Sequence, residues 1–286
     1  MYFTSDTQFA DMPLFMGMKT TSLHKLLEET NEAYYWMGFI MADGTINKNH
    51  ELKVTLAAKD RPHLVRLQNY LSIDRIFDGS NDGYPNCKIS ASNKPVIDEI
   101  RKKYGIVSNK TENPPSLDWL TTKGDLFLSF ICGFIDGDGS IGRLQNRMDF
   151  HLRIKCHGSW LNNVSIMNDF IYTHLKIAHE RGRPKLNNQG YAELCIGNTQ
   201  TLKQLKTAIL KLGLPLLVRK WDKIDLSYIG KYEKSRVDED KIRTMLEENR
   251  SNGFIAKAMG LSQSGVTLII KRLGYIRVWQ KIQQST

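Results

Sequence analysis

Trp36-Met37-Gly38-Phe39-Ile40-Met41-Ala42-Asp43-Gly44 is an apolar, helix-like run that stops on Asp-Gly. About 95 positions later the chain says nearly the same thing again: Ile131-Cys132-Gly133-Phe134-Ile135-Asp136-Gly137-Asp138-Gly139. Gly38 and Ala42 are four apart and share one face of a helix, as do Gly133 and Gly137. Faces built from Gly and Ala let two helix backbones approach more closely than the usual ~8–10 Å between axes. Helices packed through these faces bring Asp43 and Asp138 out side by side. Two neighbouring carboxylates repel, and each stands at the negative end of a helix dipole. A divalent cation removes these penalties together. An all-oxygen site of this kind suits Mg²⁺, with water filling the remaining positions.

Working outward, the chain runs through one pattern twice. After the first helix (about 31–42), alternation at Leu52, Val54 and Leu56 marks a half-buried strand. A helix follows over 62–71, with Leu64, Leu67 and Leu71 on one stripe. A strand pair around 75–77 and 87–91 is split by Asn81-Asp82-Gly83, and a helix over 95–104 closes the unit. The second pass has its first helix over 125–137, a strand at Phe150, Leu152 and Ile154, and a helix over 161–175. A hairpin split by Asn187-Asn188-Gln189-Gly190 and a helix over 201–212 complete it. Each half is therefore expected to be an αββαββα unit. The predicted boundaries are an N-terminal arm over 1–30, with one short amphipathic piece at 23–27, a first repeat over 31–112, a linker over 113–124 and a second repeat over 125–227.

Residues 228–286 differ in character. A helix over 236–248 precedes a segment with apolar Ile255, Met259, Leu261, Val266 and Ile269. Ala256 lies four before Gly260, and Ser262 is placed to cap a second helix beyond that turn. This is the packing pattern of a small all-α helix-turn-helix domain.

Composition fits a polyanionic partner. The 286 residues carry a formal charge of +10, and a hydrophobic content of 41% supports a packed core rather than a disordered chain. Cys87, Cys132, Cys156 and Cys195 are scattered, mostly in apolar-looking segments and without a CxxC pair, so zinc ribbons and disulfide frameworks are not expected. No export signal or membrane span is read, which points to a cytoplasmic protein.

Paired carboxylates holding a cation are a recurring device for phosphodiester hydrolysis. A nearby lysine would support the developing negative charge, and Lys110 and Lys220 are the symmetric candidates, one per repeat. Both Asp-Gly motifs, over roughly 31–225, resemble the signature of LAGLIDADG homing endonucleases in their single-chain, two-repeat form. The resemblance implies an α+β fold with pseudo-two-fold symmetry, a monomer, and staggered cutting of both strands of a long asymmetric DNA site. It implies metal binding by Asp43 and Asp138, aided by the backbone carbonyls of Ala42 and Gly137, with Lys110 and Lys220 completing the pocket. Mg²⁺ is the expected cofactor, with Mn²⁺ or Ca²⁺ able to replace it in binding. The first motif departs at Met41, where the second has Asp136.

Each repeat is then expected to present a curved sheet to DNA, with helices behind. Period-two alternation turns Lys53 and Thr55 outward in the first repeat, and His151, Arg153 and Lys155 in the second. Arg143, Gln145, Arg147, Arg181, Arg183 and Lys185 extend that basic surface. In the terminal domain Gln263, Ser264, Thr267 and Lys271 are expected to face a groove. Two further readings stay open: a non-cutting transcriptional regulator, since some regulators pair a LAGLIDADG body with a helix-turn-helix, and an RNA-splicing maturase. An intein fits less well, because the chain opens on Met1 and lacks a closing His-Asn.

Overall fold

Thr30 starts the first long helix, its hydroxyl accepting from the Ala33 N–H at 3.2 Å. In this helix, α1 (Asn31–Asp43), every residue from Ala33 to Met41 is buried. A helix apolar on all sides belongs inside a protein rather than against its surface. Its counterpart α4 (Asp125–Asp138) buries Phe127 through Asp136. The two pack directly on each other through the small residues. A methyl carbon on Gly38 would lie 1.9 Å from the backbone oxygen of Phe130, and one on Gly133 would lie 1.9 Å from that of Tyr35. Phe130 holds in the second motif the place that Tyr35 holds in the first, so the contact is reciprocal. The computed structural model describes residues 21–107, 109–143, 150–178, 182–228 and 239–273.

Each central helix runs without a loop into an edge strand. Strands β1 (Gly44–Ile46), β2 (Glu51–Ala57), β3 (Phe77–Asn81) and β4 (Tyr84–Ser92) form an antiparallel sheet in the order β1-β2-β4-β3. Strands β5 (Gly139–Arg143), β6 (Phe150–His157), β7 (Lys185–Leu186) and β8 (Tyr191–Ile196) form a second sheet in the matching order β5-β6-β8-β7. Gly44 pairs with Val54 as Gly139 pairs with Ile154. Leu52, Val54 and Leu56, and likewise Phe150, Leu152 and Ile154, are buried as the alternation requires. Helices α2 (Arg61–Tyr70), α3 (Lys94–Tyr104), α5 (Leu161–His174) and α6 (Thr199–Lys211) cover that side. Asn93 and Asn198 cap α3 and α6 alike, each accepting from the N–H three residues on. A 3₁₀ turn, Leu23–Leu27, buries Leu23 and Leu26 where the short amphipathic piece was expected, and the linker holds another, Asp118–Lys123. A one-turn helix, α7 (Val218–Trp221), ends the second half.

The chain divides into two units at Leu226 and Ser227. The second contains α8 (Glu239–Glu247), α9 (Asn252–Met259) and α10 (Gln263–Arg272). Ile242, Leu246, Ile255, Ala256 and Val266 form its core. Ser251 caps α9 and Ser262 caps α10. Between these helices Gly260 takes the left-handed conformation, φ 65°, which a side chain would strain, and the path turns through 106°. Among the described residues no single helix is long and apolar enough to cross a membrane.

Candidate active site

Asp43 and Asp138 are the last residues of α1 and α4, immediately before the edge strands. A methyl carbon on Gly137 would lie 2.4 Å from Ala42 Cβ and 3.4 Å from the carboxyl carbon of Asp43, so the two Asp-Gly ends touch. Both acids reach solvent, yet enough protein surrounds each carboxylate to desolvate it. That burial, followed by the charge of Asp138, pushes the Asp43 carboxyl up to about 6, against the pull of Lys220 and Lys110. Burial also raises Asp138. Among the described residues no three acidic, histidine or cysteine side chains converge on one point.

The raised Asp43 has a thermodynamic sign. Between the ordinary carboxyl value of 3.8 and about 6, the folded chain keeps a proton that the unfolded chain has released, so stability falls as pH rises through that window. Asp43→Asn is expected to raise the melting temperature at pH 7 without divalent cations, and to leave it unchanged below about pH 4. Identical melting curves at pH 7 would show that the carboxylates are not crowded.

A lysine sits beneath each acid. Lys110 donates to the carbonyls of Met41 at 2.5 Å and Ala42 at 3.3 Å. Lys220, only 5% exposed, donates to those of Ile135 at 3.1 Å, Asp136 at 2.5 Å and Gly137 at 2.9 Å. Both ammonium groups thus cap the negative end of the helix that carries the acid. Burial lowers the pKa of each, while the nearby aspartates oppose that shift. Ala42 and Gly137, expected to offer carbonyls, already offer them to these lysines, and a carbonyl retains a second lone pair.

Asp136 is a buried acid beside the site whose partners spacing alone did not assign. It is 1% exposed and accepts from three donors. Tyr35 gives its hydroxyl to Oδ2 at 2.6 Å, Leu217 its backbone N–H to Oδ2 at 2.8 Å, and Trp221 its indole N–H to Oδ1 at 2.7 Å. Leu217 and Trp221 flank Lys220. The same stretch is held from the first half, where Arg219 forms a two-pronged pair with Asp60 and Arg66 donates to the Leu216 carbonyl at 3.0 Å.

The exposed faces of the sheets carry the expected polar residues and several others. In the first sheet Lys53 and Thr55 stand opposite Ser90 and Lys88, with Asn86 and Tyr84 further along β4. Tyr84 is 78% exposed, an aromatic on the wet face that alternation could not rank. In the second sheet Arg153 pairs with Glu193 at 3.2 Å, and Lys155 stacks over Tyr191 at 4.6 Å. His151 is only half-buried beside Gly142, and Arg143, Arg183 and Lys185 are exposed. Cys195 is exposed on this face opposite Arg153, an exception to the mostly apolar settings expected for the cysteines. Gln145, Arg147 and Arg181 lie outside the described residues.

On α10, Gln263, Ser264, Thr267 and Lys271 are exposed, as is Leu268 at 69%. The Thr267 hydroxyl donates to the Gln263 carbonyl at 3.0 Å and accepts from Asn252 at 3.3 Å.

No protein-family model matches the sequence, and no curated protein matches it. Among solved structures, the chain is similar to the LAGLIDADG homing endonuclease I-GzeII in complex with DNA target, at 13% identity and TM-score 0.41, over 86% of this chain and 98% of that one. It is similar to I-SmaMI bound to cleaved DNA at 12% identity and TM-score 0.44, over 75% and 92%. The LAGLIDADG homing endonuclease I-LtrWI bound to target DNA gives 14% identity and TM-score 0.38, over 90% and 99%. At such identities and TM-scores, likeness alone decides nothing about this chain.

Proposed function

We propose that this chain is a divalent-cation-dependent, site-specific endonuclease of the LAGLIDADG homing type, cutting both strands of double-stranded DNA. The observation that carries this reading is the meeting of two Asp-Gly helix ends at the junction of two backbone-close helices, with a lysine on the carbonyls under each acid. Such a donor set fits a hard cation such as Mg²⁺: Asp43 and Asp138 would hold it, the carbonyls of Ala42 and Gly137 are available beside them, and water supplies the rest. Bound there, the cation would polarise the scissile phosphate and make water a stronger nucleophile.

The chain's own residues do the remaining work. Lys110 and Lys220 place one positive charge in each half, where negative charge grows on the phosphate. Lys53, Lys88, Lys155, Arg183 and Lys185 give the sheet faces a charge suited to the DNA backbone, and Asn86, Ser90 and Thr55 can address base edges. The two faces differ residue by residue, which suits an asymmetric site read by a monomer. In the second unit, a turn of 106° between capped helices and an exposed polar α10 fit a helix-turn-helix that lengthens the footprint. A regulator that never cuts would have no use for the costly carboxylate pair.

The test is cleavage. A DNA site selected from a random library by the full chain, then placed in a plasmid, is expected to yield linear product with Mg²⁺ or Mn²⁺, and binding without efficient cutting with Ca²⁺. Tight, sequence-selective binding without product in Mg²⁺ or Mn²⁺ would favour the regulator. Ending the chain at Leu226 is expected to weaken site binding by about 10²-fold through loss of the tethered unit, with slow cleavage retained. Unfolding of the shortened chain would contradict the independence of the two units.

A further inference from the structure

The two lysines are not held alike. We infer that Asp136 is the positioning residue for Lys220, and that it makes cutting of one DNA strand depend on an anchor the other strand's half-site lacks. This rests on the endonuclease reading above. A carboxylate buried at the end of an apolar helix persists only where donors satisfy it. Here two of its three donors, the Leu217 N–H and the Trp221 indole, come from the short stretch that contains Lys220. Fixing both ends of that stretch fixes the turn between them. The third donor, Tyr35, belongs to the opposite central helix and locks the carboxylate itself. The result is an ammonium group seated on three carbonyls at the end of α4.

Among the described residues, the first half has no counterpart. Met41 occupies the position equivalent to Asp136, and a thioether is at best a weak acceptor. Lys110 reaches two carbonyls rather than three. Its segment is steadied by exposed contacts: the Asn109 amide on Glu112 at 2.7 Å, and Ser159 donating to the Thr111 carbonyl at 2.7 Å. The chemistry of the anchor is strict. Leu217 N–H and Trp221 N–H can only donate, and a carboxylate only accepts. Asparagine brings an NH₂ group that must face one or the other, so in either orientation a donor meets a donor. The turn carrying Lys220 then shifts, and about 1 Å of misplacement at a reacting centre can cost on the order of 10²-fold in rate.

The experiment follows each strand of an end-labelled cognate duplex under single-turnover conditions, using the full chain and Mg²⁺. Asp136→Asn is expected to slow one strand by about 10- to 100-fold and the other by less than about threefold, so that nicked plasmid accumulates. Lys220→Met should slow that same strand. If Asp136→Asn fails to fold, Trp221→Phe removes one donor while keeping the carboxylate, and should slow the same strand by a smaller factor. Equal slowing of both strands, or slowing of the strand that Lys220→Met spares, overturns the inference while leaving the endonuclease intact. If the unaltered chain cuts neither strand of a duplex that it binds selectively, the endonuclease reading itself fails.

Discussion

Asp43→Asn and Asp138→Asn are each expected to lower DNA cleavage by about 10²–10³-fold, the scale of losing one preorganised contribution to charge stabilisation, while leaving affinity for the cognate site intact or improved. The asymmetry between the two readouts follows from charge. Burial raises both carboxyls, and the charge of Asp138 adds to the rise at Asp43, so neither contributes to the fold at neutral pH. Each also repels the DNA backbone, and replacing it with a neutral isostere removes that repulsion. On the proposed function, what the substitution takes away is an anionic ligand for the cation. Gel-shift titration beside strand-cleavage assays would separate the two effects. A variant that lost binding and cutting in proportion would place the aspartates in DNA recognition instead of chemistry.

Among the described glycines, Gly38→Ala and Gly133→Ala are expected to be the most damaging substitutions to alanine. In each case the added carbon would lie 1.9 Å from a backbone oxygen of the facing helix, and that oxygen has no rotamer in which to escape. Relief requires the helix axes to separate. Overpacking of this kind costs about 3 kcal/mol or more, a fall of roughly 6–12 °C in melting temperature for a unit of this size. Separation also pulls Asp43 from Asp138, so activity should fall further than stability explains. Gly197→Ala provides the comparison: nothing beyond its own chain neighbours lies within 4 Å of its methyl position, and a change within about 0.5 kcal/mol is expected. Thermal melts of the three variants decide the matter, and a tolerated Gly133→Ala would refute the backbone-close contact.

The parts of this structure visible in the sequence are those governed by local rules. Apolar runs bearing Gly four before Ala or Gly announced the central helices, because small residues at that spacing have one efficient use. Alternation at Leu52, Val54 and Leu56 fixed which face of β2 is dry, and Ser262 and Gly260 marked a cap and a turn by their own stereochemistry. Strands β1 and β5 gave no separate signal, since three to five residues are too few for alternation to register. Asp136 shows where local rules stop. As a polar residue on a greasy helix it demands partners, but these lie 101, 81 and 85 positions away in the chain, and only the fold brings them together. The Asp60–Arg219 pair spans 159 positions for the same reason. Thr267 shows the same boundary: its exposed position was readable, whereas the hydrogen bonds of its hydroxyl with Gln263 and Asn252 were not.

The central claim is that two acids, one from each half, jointly hold a cation where DNA is cut. Anomalous diffraction from crystals of the full chain, grown with its cognate duplex and Mn²⁺, measures this directly. Manganese signal against both Asp43 and Asp138, lost in Asp138→Asn, is the expected result. Manganese bound elsewhere, or no signal at those carboxylates in a complex that still binds its site, would contradict it.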